Sequence, residues 1–278
     1  MMLVLSALVL WAVAWAANVW LAGRGARVLV PLIFGLTIIV VWQLLVRGLG
    51  VDKVILPAPT EVAETFAGNI PILWADFVQT ILKGALGGYI MGVIAALVVA
   101  VLVDRYGFLQ RGLMPIANFM AALPIVGVAP IMVMWFGFDW QSKAAVVVIM
   151  VFFPMLVNTV AGLADTTAMQ RDLMRTYGAS YLQTLFRLRL PAALPFIFNG
   201  LKIAATLSLV GAIVAEFFGS PTTGLGFRIN ASLGQLSLDM VWAVIVVAAL
   251  AGSLFYGLLT LAERALTFWH PSQRSQRH

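Results

Sequence analysis

Long apolar runs separated by short polar segments dominate the chain, and this pattern predicts membrane-spanning helices. A helix needs about 20 mostly apolar residues to cross a bilayer. Seven runs meet that requirement, at about residues 2–22, 28–47, 79–102, 114–137, 144–163, 197–217 and 241–262. The pattern therefore predicts the fold class, an all-α, polytopic membrane helix bundle.

The first run is also similar to a signal peptide, because "AWAAN" near its end looks cleavable. A signal peptide carries basic residues ahead of its apolar core. None precedes this core. We therefore expect residues 1–27 to form an extra N-terminal transmembrane helix and its turn.

The polar segments predict an orientation. The turns at 23–27 and 103–113, the loop at 164–196 and the tail at 271–278 share one side, which then holds most of the 17 Lys and Arg residues. Basic residues concentrate in cytoplasmic loops. We therefore expect a cytoplasmic C-terminus and an external N-terminus.

Composition supports the membrane assignment and narrows the chemistry. The chain is 62% hydrophobic and 10% charged, against about 45–50% and about 25% for soluble domains. The absence of cysteine excludes disulfides, thiolate metal sites and thiol catalysis. A net charge of +6 fits basic cytoplasmic loops better than nucleic-acid binding.

Patterns that would indicate an enzyme are missing from the sequence. It contains no Gly-x-x-x-x-Gly-Lys-Ser/Thr phosphate-binding loop, so any energy from ATP has to come from a partner. It contains no Ser-His-Asp arrangement, and His270 and His278 lie in the tail without metal-ligand spacing. We expect no catalytic residue, cofactor or metal in this chain.

The loop at 164–196 begins with a predicted amphipathic helix. We expect Asp165 to cap this helix, which reaches about residue 177 and carries Met169, Leu173 and Tyr177 on one apolar face. Gly178 follows, and glycine is the usual residue in a left-handed C-terminal cap. The sequence therefore predicts a short helix that ends in a sharp glycine turn.

A second short helix is predicted after the glycine. Ser180 and Gln183 have the spacing of a capping box, and we expect Pro191 and Pro195 to stop the helix before the next span. The residues alone leave two interpretations. Either the helix pair lies at the lipid headgroups, or it docks a cytoplasmic partner.

This loop resembles the cytoplasmic EAA loop of permease subunits of bacterial ABC importers. The family pattern is Glu-Ala-Ala, three residues, Gly, nine residues, then Ile-x-Leu-Pro. The chain keeps its spacing but has Asp for Glu, lacks the two alanines and has Leu for Ile. The positions that correspond to the pattern are Asp172, Leu173, Met174, Gly178, Leu188, Leu190 and Pro191.

Three further motifs extend the resemblance over about residues 28–270. They are "ILPAPTEV", "LPIVGVAPIMVMWFGF" and "VAEFFGSPTTGLGFRI". Each looks like a segment of the nitrate, sulfonate, taurine and pyrimidine-precursor branch of these permeases. The resemblance implies six core spans, with the helix in residues 1–27 as an addition.

The resemblance implies an importer permease in the bacterial inner membrane, which does not itself hydrolyse ATP. It implies two ABC ATPase subunits, a second permease copy, a periplasmic solute-binding protein and surrounding lipid as partners. It implies a small solute, either an organic anion such as a sulfonate or a heterocyclic vitamin precursor. The implied ATPase-coupling residues are Asp172, Leu173, Arg175, Gly178, Leu188, Leu190 and Pro191.

Four residues are candidates for the transport pathway or its gate. Pro124 and Pro130 each favour a kink in the run at 114–137, which also carries Trp135. Two interpretations remain open: either this helix lines the transport pathway, or it is bent only to fit its neighbours. Glu216, near the external end of a span, either belongs to a gate or is hydrated at the interface.

Small residues and lysines within the spans predict packing details. Gly84, Gly88 and Gly92 recur every four residues, which favours close helix packing within the chain or against a second copy. We expect Lys202, near a span end, to extend towards the membrane surface. In the segment at 56–70 we expect Thr60 to cap a short helix.

Two other function classes remain alternatives to an importer permease. An ion-coupled secondary transporter needs charged or unwound sites near the membrane midplane, usually in paired halves. The spans contain no central acid and no paired broken helices. A membrane-embedded enzyme would need a catalytic constellation, and the sequence offers none.

Overall fold

The computed structural model describes residues 2–22, 28–120, 123–219 and 222–269. The predicted turn at 23–27, both histidines and the tail at 271–278 lie outside these ranges. No β-strand occurs in the described residues. The helices are α1 (Met2–Ala22), α2 (Leu29–Leu49), α3 (Pro59–Gly68), α4 (Ile70–Phe77), α5 (Leu86–Arg105), α6 (Gly107–Met120), α7 (Ile125–Phe136), α8 (Trp140–Ala164), α9 (Ala168–Thr176), α10 (Tyr181–Thr184), α11 (Leu190–Phe217), α12 (Leu225–Gly234) and α13 (Leu238–Leu266).

Two π-helical turns join neighbouring helices into longer segments. One, Val78–Ala85, continues α4 into α5, and the other, Leu185–Arg189, continues α10 into α11. Each adds one residue to a turn by shifting a hydrogen bond from i→i−4 to i→i−5. The results are unbroken helical segments over Ile70–Arg105 and Tyr181–Phe217.

Six helical segments in the described residues are long and apolar enough to cross a membrane, which confirms the polytopic all-α prediction. They are Met2–Ala22, Leu29–Leu49, Ile70–Arg105, Trp140–Ala164, Tyr181–Phe217 and Leu238–Leu266.

The span predicted at 114–137 is sharply bent, in line with the kink that its prolines favour. α6 and α7 meet at an angle of 101° and count as a seventh crossing only if the pair is taken as one broken span. Pro124 lies at the start of α7 in an extended conformation. Proline disfavours a helical conformation in the residue before it, so a helix that reaches this point cannot run straight on.

The helices pack as two units, and the smaller comprises Met1–Trp74 and Arg228–Val246. In it α1 lies along α2, where a side chain at Gly48 would come within 2.9 Å of Leu3 Cβ. Thr60 does not cap α3, which is an error of the sequence prediction. Its hydroxyl oxygen accepts a hydrogen bond from Gln43, 3.2 Å away, and the Glu61 carboxylate accepts one from the Ala58 N–H at the helix start.

The larger unit comprises Ala75–Phe227 and Val247–His278, and its core forms where α5, α8 and α11 pack together. Cβ atoms added at Gly88 and Gly92 would lie 2.5 Å from Val147 Cβ and 3.1 Å from Val151 Cγ1. The predicted glycine ridge therefore packs within the chain, against α8. Its lack of side chains lets α5 and α8 approach closely.

Polar contacts also join helices of the larger unit. Lys202 Nζ lies 2.8 Å from Glu263 Oε2, so this lysine pairs inside the unit and does not extend to the membrane surface as predicted. Between α7 and α8, Asp139 accepts hydrogen bonds from the Trp140 N–H and then from Gln79 Nε2. These two bonds hold the pKa of Asp139 below its usual value.

Candidate functional site

The predicted glycine turn is present between α9 and α10. Gly178 adopts the left-handed conformation, with φ of 66°, and its N–H donates to the Arg175 carbonyl. The N–H of Ala179 reaches back to the Met174 carbonyl. Glycine takes this conformation without the penalty that a Cβ imposes, so the chain reverses sharply here.

Capping boxes begin both short helices of the loop. Ser180 and Gln183 form the predicted one, with the Ser180 N–H 2.8 Å from Gln183 Oε1. Asp165 does not cap α9, contrary to the prediction, because it is the C-terminal cap of α8. Thr167 takes the role by accepting from the Gln170 N–H, and Gln170 Oε1 accepts from the Thr167 N–H at 2.9 Å. A Thr-x-x-Gln pattern in the sequence signalled this start.

The apolar face of α9 is uncovered. Met169 is 82% exposed, Leu173 55% and Tyr177 80%, and no residue of the helix is buried. Asp172 and Arg175 lie beside this face and pair at 3.2 Å, with both side chains largely in solvent. Such an exposed pair contributes at most about 1 kcal/mol to stability. The helix therefore presents apolar side chains with a charged margin.

Leu190 and Pro191 lie within a helix that does not stop. The predicted end at Pro191 and Pro195 is wrong, because the segment from Tyr181 runs unbroken to Phe217. The π turn Leu185–Arg189 comes just before Pro191, and the Leu190 N–H bonds to the Leu185 carbonyl. Proline has no N–H to donate and its ring crowds the preceding turn, and the hydrogen bonds of the π turn just before Pro191 are shifted to i→i−5. Leu188, Leu190 and Pro191 are all half-buried there.

An ion pair that the sequence analysis missed holds the second helix of the loop to α5. Arg189 Nη1 and Nη2 lie 2.7 and 2.5 Å from the two oxygens of Asp104, and Arg189 Nε donates to the Leu163 carbonyl at 3.0 Å. The Tyr181 hydroxyl donates to Asp104 at 2.8 Å. The side chains of Arg189 and Asp104 are 16% and 8% exposed.

This tie fixes the loop to two spanning helices, because Asp104 belongs to α5 and Leu163 to α8. The guanidinium of Arg105 also lies over the Tyr181 ring, 4.4 Å from its centre. Nothing in the local sequence pattern pairs residues that are so far apart along the chain. The one available signal was an Asp-Arg dipeptide at the end of one span facing an Arg-rich loop on the same predicted side.

Three of the four candidate pathway residues lie on α7, and the fourth lies elsewhere. Pro124 begins α7, Pro130 is inside it and Trp135 near its end is largely exposed. Glu216 is buried in α11 and takes its hydrogen bonds from Thr80 and Gly226. In the described part of the chain, no hydrogen bond joins Glu216 to the α7 residues.

Glu216 belongs to a buried polar cluster, so it is not hydrated at an interface. Thr80 Oγ1 lies 2.7 and 2.9 Å from its two carboxylate oxygens. The N–H groups of Gly224, Leu225 and Gly226 donate in turn to Asp76 at 2.8 Å, Thr80 at 2.7 Å and Glu216 at 2.7 Å. Side chains of the segments Ile70–Arg105 and Tyr181–Phe217 thereby accept hydrogen bonds from three successive backbone N–H groups.

The Gly-Leu-Gly motif is explained by this cluster. A Cβ at Gly224, where φ is 132°, would lie 2.6 Å from the Glu216 carboxylate. A Cβ at Gly226 would overlap the Ile213 carbonyl oxygen. Only glycine at both positions lets the backbone approach the acid closely enough to donate to it.

Comparison with known proteins decides the family. Residues 88–268 match the family model described as "Binding-protein-dependent transport system inner membrane component". The chain belongs to this family. It is therefore a multi-pass inner-membrane permease subunit of an ABC importer for small solutes, as the loop motif indicated.

Individual relatives of the permease place it in the expected branch. It is 30% identical to the formylaminopyrimidine transport permease protein of Halalkalibacterium halodurans, over 90% of this chain and 99% of that protein. It is 32% identical to the riboflavin transport system permease protein of Chloroflexus aurantiacus, over 84% of this chain and 88% of that protein. It is 30% identical to the putative aliphatic sulfonates transport permease protein of Bacillus subtilis, over 84% and 85%.

Both polar features of the larger unit involve the matched part of the permease. The loop, the Arg189–Asp104 pair and Glu216 all lie within residues 88–268, whereas α1, α2 and α3 precede them. The chain acts as a transport subunit. Its two candidate functional sites are the loop at 164–196 and the buried polar cluster around Glu216.

Proposed function

We propose that a separate ABC ATPase drives this permease by docking on the loop between α8 and α11. The observation that carries the proposal is the uncovered apolar face of Met169, Leu173 and Tyr177 on α9. Protein interfaces combine an apolar centre with a polar rim, and here Asp172 and Arg175 supply the rim. Because the chain has no phosphate-binding loop of its own, ATP is bound and hydrolysed by the partner.

Docking of a protein accounts for α9 better than binding to lipid headgroups. A helix that lies on a membrane presents Lys and Arg on its polar face for anionic lipid. α9 has two arginines, and both are engaged within the chain: Arg171 bonds to Thr166, and Arg175 pairs with Asp172. The polar margin of the helix therefore carries Asp172 beside its arginines, which suits the rim of a protein interface better than a surface for anionic lipid.

The orientation follows from the same loop. With the loop and the C-terminus in the cytoplasm, most Lys and Arg residues lie inside, as the positive-inside rule expects. The N-terminus and the segment around α12 then face the periplasm, where a solute-binding protein delivers its cargo. Two copies of the permease, each docking one ATPase, complete the proposed assembly, with residues 28–270 forming the transporter domain.

The proposed cargo is a heterocyclic vitamin precursor related to a pyrimidine or riboflavin. Permeases named for formylaminopyrimidine and riboflavin transport support this choice, and the first aligns over 99% of its length. A small organic anion is the second candidate, supported by the sulfonate permease relative. Thermal-shift screening of the binding protein encoded beside this permease, with riboflavin, aminopyrimidines and alkanesulfonates, tests the choice directly.

The docking proposal is tested with Leu173→Glu and Asp172→Arg in the assembled importer. We expect both variants to insert into the membrane normally but to lose co-purification with the ATPase and binding-protein-stimulated hydrolysis. Leu236→Glu is the matched control, because Leu236 is an equally exposed leucine in the segment assigned to the periplasm.

Two results would overturn the proposal. One is normal ATPase binding and stimulation in both loop variants. The other is solute uptake that persists when the ATPase is deleted, which is the behaviour of an ion-coupled secondary transporter. Loss of ATPase binding in the Leu236→Glu control would show that the assay reports general disruption, and would count against the assignment of the surface to α9.

A further inference from the structure

The two helical segments that the Arg189–Asp104 pair joins are joined again at their other ends. Glu216 is the penultimate residue of the segment Tyr181–Phe217, and Thr80 lies in the π turn of the segment Ile70–Arg105. The Thr80 hydroxyl contacts both carboxylate oxygens of Glu216 within 2.9 Å. Both side chains are fully or almost fully buried.

The two ties are far apart. At a rise of about 1.5 Å per residue, Arg189 and Glu216 are separated by about 40 Å along their helix, and Thr80 and Asp104 by about 36 Å along theirs. Because residues 80 and 104 of one segment pair with residues 216 and 189 of the other, the segments run antiparallel between the ties. Each segment is continuous, and the α8 core packs against both α5 and α11. A displacement at one end is therefore transmitted to the other.

The far tie also holds a piece of irregular backbone. Gly224, Leu225 and Gly226 donate their three N–H groups to Asp76, Thr80 and Glu216, as described above. Backbone donors buried at the end of a membrane span need partners, because water is not there to supply them. The two glycines leave no side chain between this backbone and the acid. A displacement of Glu216 with α11 therefore also displaces Gly224–Gly226.

We propose that Glu216 and Thr80 are positioning residues for transport, which hold Gly224–Gly226 to the far end of the helix whose near end carries the loop. Displacement of the loop then moves this segment, which opens or closes the side of the permease opposite the ATPase. The inference rests on the proposed docking of the ATPase on α9. It assigns the Ala-Glu and Gly-Leu-Gly motifs one shared mechanical role.

The test measures coupling in the complete importer reconstituted in lipid with its ATPase and binding protein. Glu216→Gln removes one acceptor oxygen and Thr80→Val removes the hydroxyl, whereas Thr80→Ser retains it. Matched controls are Ser208→Ala and Thr159→Val, because both side chains are buried but bond only to carbonyls of their own helices.

We expect the Gln and Val variants to retain ATPase binding and basal hydrolysis while stimulation by the binding protein and transport fall about tenfold or more, within the usual range of coupling energies. Thr80→Ser and both controls should behave as the wild type. A general packing defect would lower basal hydrolysis and assembly in the test and control variants alike.

A cysteine label reports the motion itself. The chain has no cysteine, so Leu225→Cys places a single thiol at a fully buried position. Its reaction with a water-soluble maleimide should be slow and should change when ATP and vanadate are added. With Glu216→Gln added, the thiol should react quickly, and nucleotide should no longer alter the rate.

The outcomes separate this inference from the proposed function. Failure of the wild-type permease to bind an ATPase would overturn the docking proposal and this inference with it. ATPase binding with wild-type stimulation in both Glu216→Gln and Thr80→Val would overturn this inference alone. So would a labelling rate at position 225 that nucleotide changes equally with and without Glu216→Gln.

Discussion

Replacing Arg189 tests how firmly the loop is held to the spanning helices. Arg189→Met retains much of the side-chain volume but removes two contacts to Asp104 and one to the Leu163 carbonyl. The Asp104 carboxylate is then left with the Tyr181 hydroxyl at 2.8 Å as its hydrogen-bond donor at this contact. A buried, charged group loses its counter-ion, and the local structure has to open to hydrate it.

The expected magnitude follows from burial. Removing one partner of a buried ion pair destabilises by about 3–5 kcal/mol. Because Arg189 is 16% exposed and Asp104 8%, water screens the pair slightly and we take the lower end, about 3 kcal/mol. At about 1.4 kcal/mol per factor of ten, this is about a 150-fold increase in the open fraction of the loop.

Hydrogen exchange measured by mass spectrometry on the purified permease in nanodiscs reads this directly. Amide protons in peptides that cover residues 181–189 should exchange about 150-fold faster in Arg189→Met, since their protection reflects local opening. Arg187→Met is the matched control, because Arg187 is exposed in the same turn. In Arg187→Met, exchange at residues 181–189 should remain at the wild-type rate.

The double variant Asp104→Leu with Arg189→Met sharpens the test. Replacing a whole buried pair by apolar residues is often neutral, so this variant should recover most of the lost protection. Wild-type exchange in Arg189→Met would refute the reasoning. Additive free-energy effects of Asp104→Leu and Arg189→Met would also refute it, because contacting residues should couple by about 0.5–3 kcal/mol.

Three glycine substitutions test other parts of the fold. Gly226→Ala brings a Cβ into overlap with the Ile213 carbonyl and should abolish uptake in whole cells while the protein still inserts; normal uptake would contradict the tight approach. Gly88→Ala places a Cβ 2.5 Å from Val147 Cβ and should lower stability by about 1–3 kcal/mol through overpacking, measured as a lower melting temperature in detergent; an unchanged melting temperature would be evidence against the ridge. Gly178→Ala meets no neighbour within 4 Å but strains the left-handed turn by about 1 kcal/mol, whereas Asn is tolerated there. Binding-protein-stimulated ATPase should therefore fall in the Ala variant and stay near normal in Gly178→Asn, and equal loss in both would refute the backbone explanation.

Local sequence patterns predicted the features that depend on neighbouring residues. The apolar runs predicted the spans, and the glycine after α9 predicted the turn. Ser180 and Gln183 predicted a capping box. Each depends on chain length, backbone conformation or a contact three residues away, so each is readable without knowing the fold.

The errors arose from local backbone geometry at prolines and from contacts between distant parts of the chain. Pro191 and Pro195 were predicted to stop a helix, yet the helical segment Tyr181–Phe217 continues through both. Lys202 was predicted to extend to the membrane surface, but it pairs with Glu263. The run at 114–137 was predicted as one span with proline kinks, and it holds two helices bent by 101°, an angle that the sequence did not indicate.

The sequence by itself determined that this protein is an all-α membrane permease. Hydrophobic length and a spaced motif are local properties, so they can be read without knowing the fold. Only the tertiary structure decided that Asp104 holds Arg189 and that Thr80 holds Glu216. These partners lie 85 and 136 residues apart, and only the packing of α5, α8 and α11 brings such distant polar groups within hydrogen-bond distance. The same packing places Arg189 and Glu216 near opposite ends of one continuous helical segment.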